Sequence, residues 1–282
     1  MTIDYLLIDG VLKQDALQWL YQSEGHFELY PLYTTTPWDE LKALGPILVK
    51  LERSSYLLPA FQDSLELQGQ ASWVRSRASL KVVAHHLAQF ITLTDNFGSN
   101  SLFRFADPLV TWHWLDSYTP SALRTVLGPV EAWQVAVLPP NWEPARAREW
   151  RIYRHDAEGI SLPSRLNHLG DIQLQALEDA HRWRFKERIY HWLATTYPER
   201  LDATPPEGWG DWMDQRLAAA SEWGLFTERS LAIWIERCLH WGDDFARHPD
   251  SPYHDWLART PHAAGLPPEL RIQALDDDCM DS

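Results

Sequence analysis

The chain has 282 residues, an apolar fraction of 45% and a formal net charge of −14, enough to bury a sizeable core, long for one domain and short for three. The acidic balance argues against a phosphate-backbone binder, which needs a basic face, and disfavours docking on anionic lipid; it suits solubility or steering of a basic partner. Two cysteines, Cys238 and Cys279, make neither a disulfide framework nor a zinc ligand set.

Residues 3 to 9 read as a first strand stopped by Gly10, followed by a helix near 13 to 23 and a short strand from Phe27 to Tyr30 that Pro31 ends. A short helix is expected at 38 to 43, then a strand after Gly45-Pro46, where Ile47, Val49 and Leu51 alternate with Leu48, Lys50 and Glu52. A mostly helical stretch from Ser54 to Leu67 precedes a strand at 71 to 75 and a helix at 80 to 90, with Leu80, Val83, Ala84, Leu87 and Phe90 at helical spacing. Ile91 to Asp95 reads as a strand and 96 to 100 as a turn. Leu102 to Phe105 reads as another strand, broken at Asp107-Pro108; there Asp107 can cap and Pro108 can open the next helix. Thr119-Pro120 starts a helix that Gly128-Pro129 ends. Glu131 to Leu138 and Glu149 to His155 read as a hairpin. Beyond about 160 the pattern is helical: a long helix from Asp171 to Thr196, helices near 210 to 223 and 228 to 241, and shorter ones at 252 to 258 and 267 to 275.

These elements predict an α/β (α+β) N-terminal lobe with a mixed sheet over 1–160, an all-helical C-terminal lobe over 161–275, and an acidic, disordered tail over 276–282 that includes Cys279. Cys238 falls on an apolar helix face, as a buried small hydrophobe does. The N-terminus lacks a signal-peptide pattern and no stretch approaches the roughly 20 apolar residues of a membrane span, so a cytosolic protein is expected. Tryptophan is abundant, at 16 residues; about two thirds are expected in the core, the rest on an interaction surface.

No strong enzyme signature appears: there is no phosphate-cradling glycine loop, no paired-histidine zinc helix and no Gly-x-Ser-x-Gly elbow. His85 and His86 are helix neighbours whose side chains diverge. His113 lies between two tryptophans, as a shielded base or a satisfied buried histidine. Asp243-Asp244 follow a helix end, where a solvated turn is the ordinary use. Asp4 and Asp9 flank the first strand, where capping is ordinary. Arg104 interrupts an apolar strand beside Asp107. Asp107 is expected to cap, whereas Arg104 is either a bidentate brace or an interface anchor.

The order of motifs resembles the adaptor, or effector chaperone, family of bacterial type VI secretion, long catalogued as a domain of unknown function. The residues that carry it are Leu7-Ile8-Asp9-Gly10, Pro31-Leu32-Tyr33, Gly45-Pro46-Ile47-Leu48-Val49, Ser79 with His86-Leu87, the corner Phe103-Arg104-Phe105-Ala106-Asp107-Pro108, and Gly128-Pro129. The downstream long helix and the helix ending in Trp241-Gly242 are also similar. Ala106, Leu109 and Ala88 depart from the family pattern. The resemblance implies a non-catalytic, cytosolic protein that binds a cognate toxin effector and helps load it on the VgrG-type spike, with no cofactor, metal, nucleic acid or membrane involved. Asp9, Gly10, Phe103, Phe105, Asp107 and Pro108 then form the structural motif. Aromatic anchors at Trp209, Trp212, Trp223 and Phe226, with Arg104, are the candidate partner contacts. A hydrolase using Asp107, His113 or Asp243-Asp244, and a structural subunit of a secretion assembly, are the alternatives.

Overall fold

The computed structural model describes residues 2–22, 27–52, 55–94, 98, 100–144, 146–154, 169–205 and 207–280. The expected turn at 96–100, the boundary at 160/161 and Asp281 lie wholly or partly outside them. Two compact units are formed, Met1–Pro139 with Arg146–His181 and Pro140–Ala145 with Arg182–Ser282.

The first unit is built on a six-stranded sheet of β1 (Ile3–Asp9), β2 (Leu29–Pro31), β3 (Pro46–Leu51), β4 (Ala71–Ser76), β7 (Val130–Val137) and β8 (Glu149–Arg154), in the order β2-β3-β1-β4-β7-β8. A separate hairpin joins β5 (Thr92–Thr94) to β6 (Asn100–Leu102). Where a mixed sheet was expected, all five ladders of the large sheet are antiparallel. Helices separate several of the strands, but each chain return brings the next strand in against its neighbour in the opposite sense.

Strand β1 occupies the middle, and its unbroken run Tyr5-Leu6-Leu7-Ile8 is buried on both faces. Successive side chains point to opposite faces. Tyr5 and Leu7 therefore join Leu48, Val74, Trp133 and Val135 in one core, and Leu6 and Ile8 join Ile47, Val49 and Ala71 in another. The first core receives residues of α4 (Leu80–Leu87), α5 (Pro108–Asp116) and α6 (Pro120–Leu127), and the second those of α1 (Ala16–Gln22), α2 (Leu57–Asp63) and α3 (Leu65–Gln68). The result is a helix–sheet–helix sandwich.

The expected strand at 102–105 ends at Leu102; Phe103 and Phe105 leave the ladder and are buried. They pack with Phe90, Trp114 and Trp133 at ring centroid separations of 5.0 to 6.5 Å. The indole N–H groups are satisfied: Trp133 donates to the Ser72 hydroxyl (2.8 Å) and Trp114 to the Tyr118 hydroxyl (3.1 Å). The expected helix at 38–43 is a single 3₁₀ turn, Asp39–Leu41.

The second unit holds α7 (Asp171–Thr196) from Arg182 onward, α8 (Pro198–Leu201), α9 (Trp209–Trp223), α10 (Glu228–Trp241), α11 (Pro252–Arg259) and α12 (Pro268–Met280). None of the described residues after Arg154 is in a strand. The units do not divide at 160/161. The first turns of α7 place Leu174 and Leu177 against the sheet lobe's core, while Trp142, from the loop after β7, is buried among the helices. In its middle, from Ile233 to Cys238, α10 is buried all round, including Glu236 and Arg237. Those charges are paired, as buried charges must be: Arg237 lies 2.7 Å from Asp276 and 3.4 Å from Glu236, and Tyr197 donates its hydroxyl hydrogen to Glu236. The described part of the expected tail, 276–280, is ordered. Asp276 to Met280 continue α12, Asp278 accepts the Trp256 indole hydrogen (2.7 Å), and Cys279 is half-buried rather than exposed. Seven of the 16 tryptophans are buried, and eight more are half-buried and packed against the cores.

Candidate functional site

At the carboxyl end of β1 three loops converge, and each carries one of the sequence motifs. Asp9 closes the strand, and its Oδ1 accepts hydrogen bonds from the amides of Val11 (2.8 Å) and Leu12 (3.0 Å), an Asx-type turn. Gly10 follows because nothing larger fits: a Cβ there would sit 2.6 Å from the carbonyl oxygen of Gly45 and 2.7 Å from that of Ala43. The Gly10 amide instead donates to the Gly45 oxygen at 3.2 Å. Gly45 is fixed in turn by the Tyr33 ring, which a Cβ would meet at 2.6 Å. The Asp-Gly, Pro-Leu-Tyr and Gly-Pro motifs are thus one packed unit.

The third loop brings Arg104 and Asp107. Asp107 caps α5 by accepting from the Leu109 amide (3.0 Å), with Pro108 at the first helical position, where its missing N–H costs nothing. Thr111 locks the corner by donating to the carbonyl of Phe105 (2.6 Å). Arg104 Nη2 donates to both oxygens of Asp9, at 3.1 Å each, and lies 3.6 Å from Asp107. The side chains of Asp9 and Asp107 are 5% and 3% exposed, that of Arg104 40%. Burial pushes the Asp9 carboxyl above its ordinary range, against the opposing pull of Arg104 and the Leu12 amide. Burial likewise raises the Tyr33 phenol, helped by the Asp9 charge. Arg104 thus ties the end of β1 to the start of α5 while two fifths of its side chain stays exposed.

The other candidates have separate structural occupations. His86 is buried with Nε2 2.8 Å from the Val126 carbonyl, and burial lowers its pKa; His85 points away to an edge contact with Tyr30. Asp4 accepts the Trp73 indole hydrogen (3.0 Å) and pairs with Arg75. Asp243 accepts the Trp212 indole hydrogen and pairs with Arg216. Among the described residues no three His, Cys, Asp or Glu side chains are placed to hold a metal ion, and no helix is long and apolar enough to cross a membrane.

Of the aromatic anchors expected at the surface, Trp209 and Trp212 are core residues instead. They sit one turn apart at the start of α9 and stack edge-on with each other, and Trp209 also meets Tyr190. Trp223 is half-buried under the Arg271 guanidinium. Phe226, just before the α10 cap, is 76% exposed. The sequence reading overlooked a groove between α5 and the first turns of α7. It is lined by Trp112, His113, Asp116, Asp171, Ile172, Ala176 and Asp179 among others. The signal for it was the spacing of four between Asp171, Gln175 and Asp179, which lines them along one face of the long helix.

Residues 5–125, less than half of the chain, match the family model described as "Domain of unknown function (DUF4123)". That segment contains every residue of the brace and bears out the resemblance drawn from the motif order. Over 112 residues the chain is 29% identical to the accessory protein VasW of Vibrio cholerae serotype O1 (strain ATCC 39315 / El Tor Inaba N16961), covering 36% of this chain and 34% of VasW. The chain thus aligns with about a third of that relative's length. No solved structure matches it.

Proposed function

We propose that the protein is a non-catalytic adaptor of type VI secretion that binds a cognate toxin effector in the cytosol and helps load it on the VgrG-type spike. The observation that carries this reading is the family match over 5–125, with its Asp-Gly, Pro-Leu-Tyr, Gly-Pro and Asp-Pro motifs meeting at the end of β1. The similarity to an accessory protein supports it. So does the occupation of the candidate catalytic groups: Asp107 is a helix cap and Asp243 holds an indole and a guanidinium. Of the four aromatic candidates, exposed Phe226 and half-buried Trp223 are the two left for partner contact.

The test is co-expression with the toxin effector and the spike protein encoded nearest the gene, followed by affinity capture of one partner. Recovery of the effector, and of spike only when effector is present, is the expected result. Absence of both from the captured material overturns the adaptor reading.

A further inference from the structure

The groove between α5 and the first turns of α7 is a shallow, open depression of about 510 Å³ that lies wholly within the first unit. On the α5 side Trp112 and His113 stack with ring centroids 3.6 Å apart. On the α7 side Ile172 is 69% exposed, one turn before Ala176. Around these apolar groups stand Asp116, Asp171 and Asp179, and the lining contains no Lys or Arg. Asp116 and Asp179 are held in place, the first accepting from the Tyr153 hydroxyl (2.9 Å) and the second from the Gln175 amide (3.0 Å). Arg151 approaches Asp116 at 3.7 Å from the β8 side.

We propose that this groove docks a basic segment of a partner protein, its Lys or Arg heads meeting Asp116, Asp171 and Asp179 and an apolar side chain lying on Ile172 and Ala176. Charge complementarity selects the occupant. A neutral or acidic segment would bring no positive charge to a lining that carries three carboxylates and no Lys or Arg, whereas a cationic segment does, even with Arg151 already beside Asp116. His113 does not oppose such a guest, because burial, against the pull of Asp179 and Asp116, holds its pKa below the usual value and keeps it neutral at pH 7. Naming the effector as that partner rests on the adaptor reading; the preference for a cationic segment does not.

The assay is fluorescence anisotropy of a labelled Leu/Lys peptide patterned as an amphipathic helix, with its Leu/Glu counterpart as control, against the full chain. Ile172→Ser, at an exposed position, and Ala176→Trp, which fills the groove without changing charge, are each expected to weaken Lys-peptide binding about tenfold. Asp171→Asn/Asp179→Asn is expected to do the same and to flatten the salt dependence. Asp63→Asn/Glu66→Gln, removing equal charge from the α2–α3 side, is expected to change little. Circular dichroism establishes that each variant is folded. Equal weakening by the control pair, unchanged binding by folded Ile172→Ser, or equal binding of the Leu/Glu peptide overturns the proposal. So does a dimer that Ile172→Ser converts to monomer, which would make a second copy the occupant. In the effector capture assay, an Ile172→Ser protein that loses the peptide but keeps the effector overturns the effector as occupant. A parent protein that binds the peptide and no effector overturns the adaptor reading instead.

Discussion

Replacing Arg104 by Ala tests whether the brace holds the N-terminal lobe together. The substitution leaves Asp9 and Asp107, 5% and 3% exposed, without the cation that lies between them. Removing one partner of a fully buried pair costs about 3–5 kcal/mol. Two features reduce that here. Arg104 is 40% exposed, so solvent already screens the pair, and the carboxylates keep the amides of Val11, Leu12 and Leu109. The expected loss is about 2 kcal/mol, or about 4–8 °C in the melting temperature of a lobe this size. The pH dependence has a definite sign. The Asp9 carboxyl titrates above its ordinary range in the folded protein, so its ionisation costs stability as pH rises through that folded value. Without Arg104 the folded value climbs further and the cost at neutral pH grows. Below the ordinary carboxylate range Asp9 is protonated in both states and the cost disappears. Urea unfolding of the two proteins at pH 7.5 and pH 4.5 should therefore show a larger gap at the higher pH. The Asp9→Asn background should shrink the gap at both, with a coupling of about 1 kcal/mol or more. An Arg104→Ala protein as stable as its parent at pH 7.5, or one whose deficit ignores both pH and Asp9→Asn, would refute the brace.

The remaining predictions concern single contacts. Gly10→Ala drives a methyl into two backbone carbonyls that cannot swing aside, so a loss of about 1–3 kcal/mol or failure to fold is expected, read from soluble yield and thermal unfolding. Asp107→Ala removes the α5 cap and should cost about 1 kcal/mol by the cap alone and more with the Arg104 contact; a change below the error of urea unfolding would count against it. In the helical unit, partial burial opposes ionisation of Glu269. Even so, the Ser230 hydroxyl, the Phe226 and Thr227 amides and the Thr227 hydroxyl hold its carboxyl down to about 2. Its contribution is present above the ordinary carboxylate pKa and is lost as pH falls towards 2. Glu269→Gln should therefore destabilise by about 1 kcal/mol at pH 7, after allowing for screening, and by less at pH 3; equal losses at both values would contradict it. Phe226→Ser should leave the melting temperature within about 2 °C of the parent while reducing effector recovery in the capture assay; full recovery would remove Phe226 from the contact surface.

Much of the brace was legible before any coordinates. Asp9, Gly10, Asp107 and Pro108 announce themselves because capping and turn chemistry are local: the Asp9 turn needs only the amides two and three residues on, and Pro at a first helical position needs only its own ring. The role of Arg104 was not legible, because its partner Asp9 is 95 residues away. The aromatic anchors show the same limit. Trp209 and Trp212 follow a Pro/Gly-rich break that looks exposed, yet they enter the core with Tyr190, while Phe226, no more apolar, stays outside. The strand expected through Phe105 failed because alternation of apolar residues marks burial on one side, which a loop entering the core also satisfies.

By itself the sequence determined the order of most elements, the passage from strands to helices, and the motif order that ties residues 5–125 to a family. Those properties are carried by near neighbours and by periodicity. The tertiary structure alone decided that the sheet is antiparallel, that the Asp-Gly corner meets the Gly-Pro corner through its backbone and the Asp-Pro corner through one guanidinium, and that an acidic groove opens between α5 and α7. Each of these joins groups far apart in the chain. Which distant groups meet depends on the packing of the whole lobe, not on any segment of it.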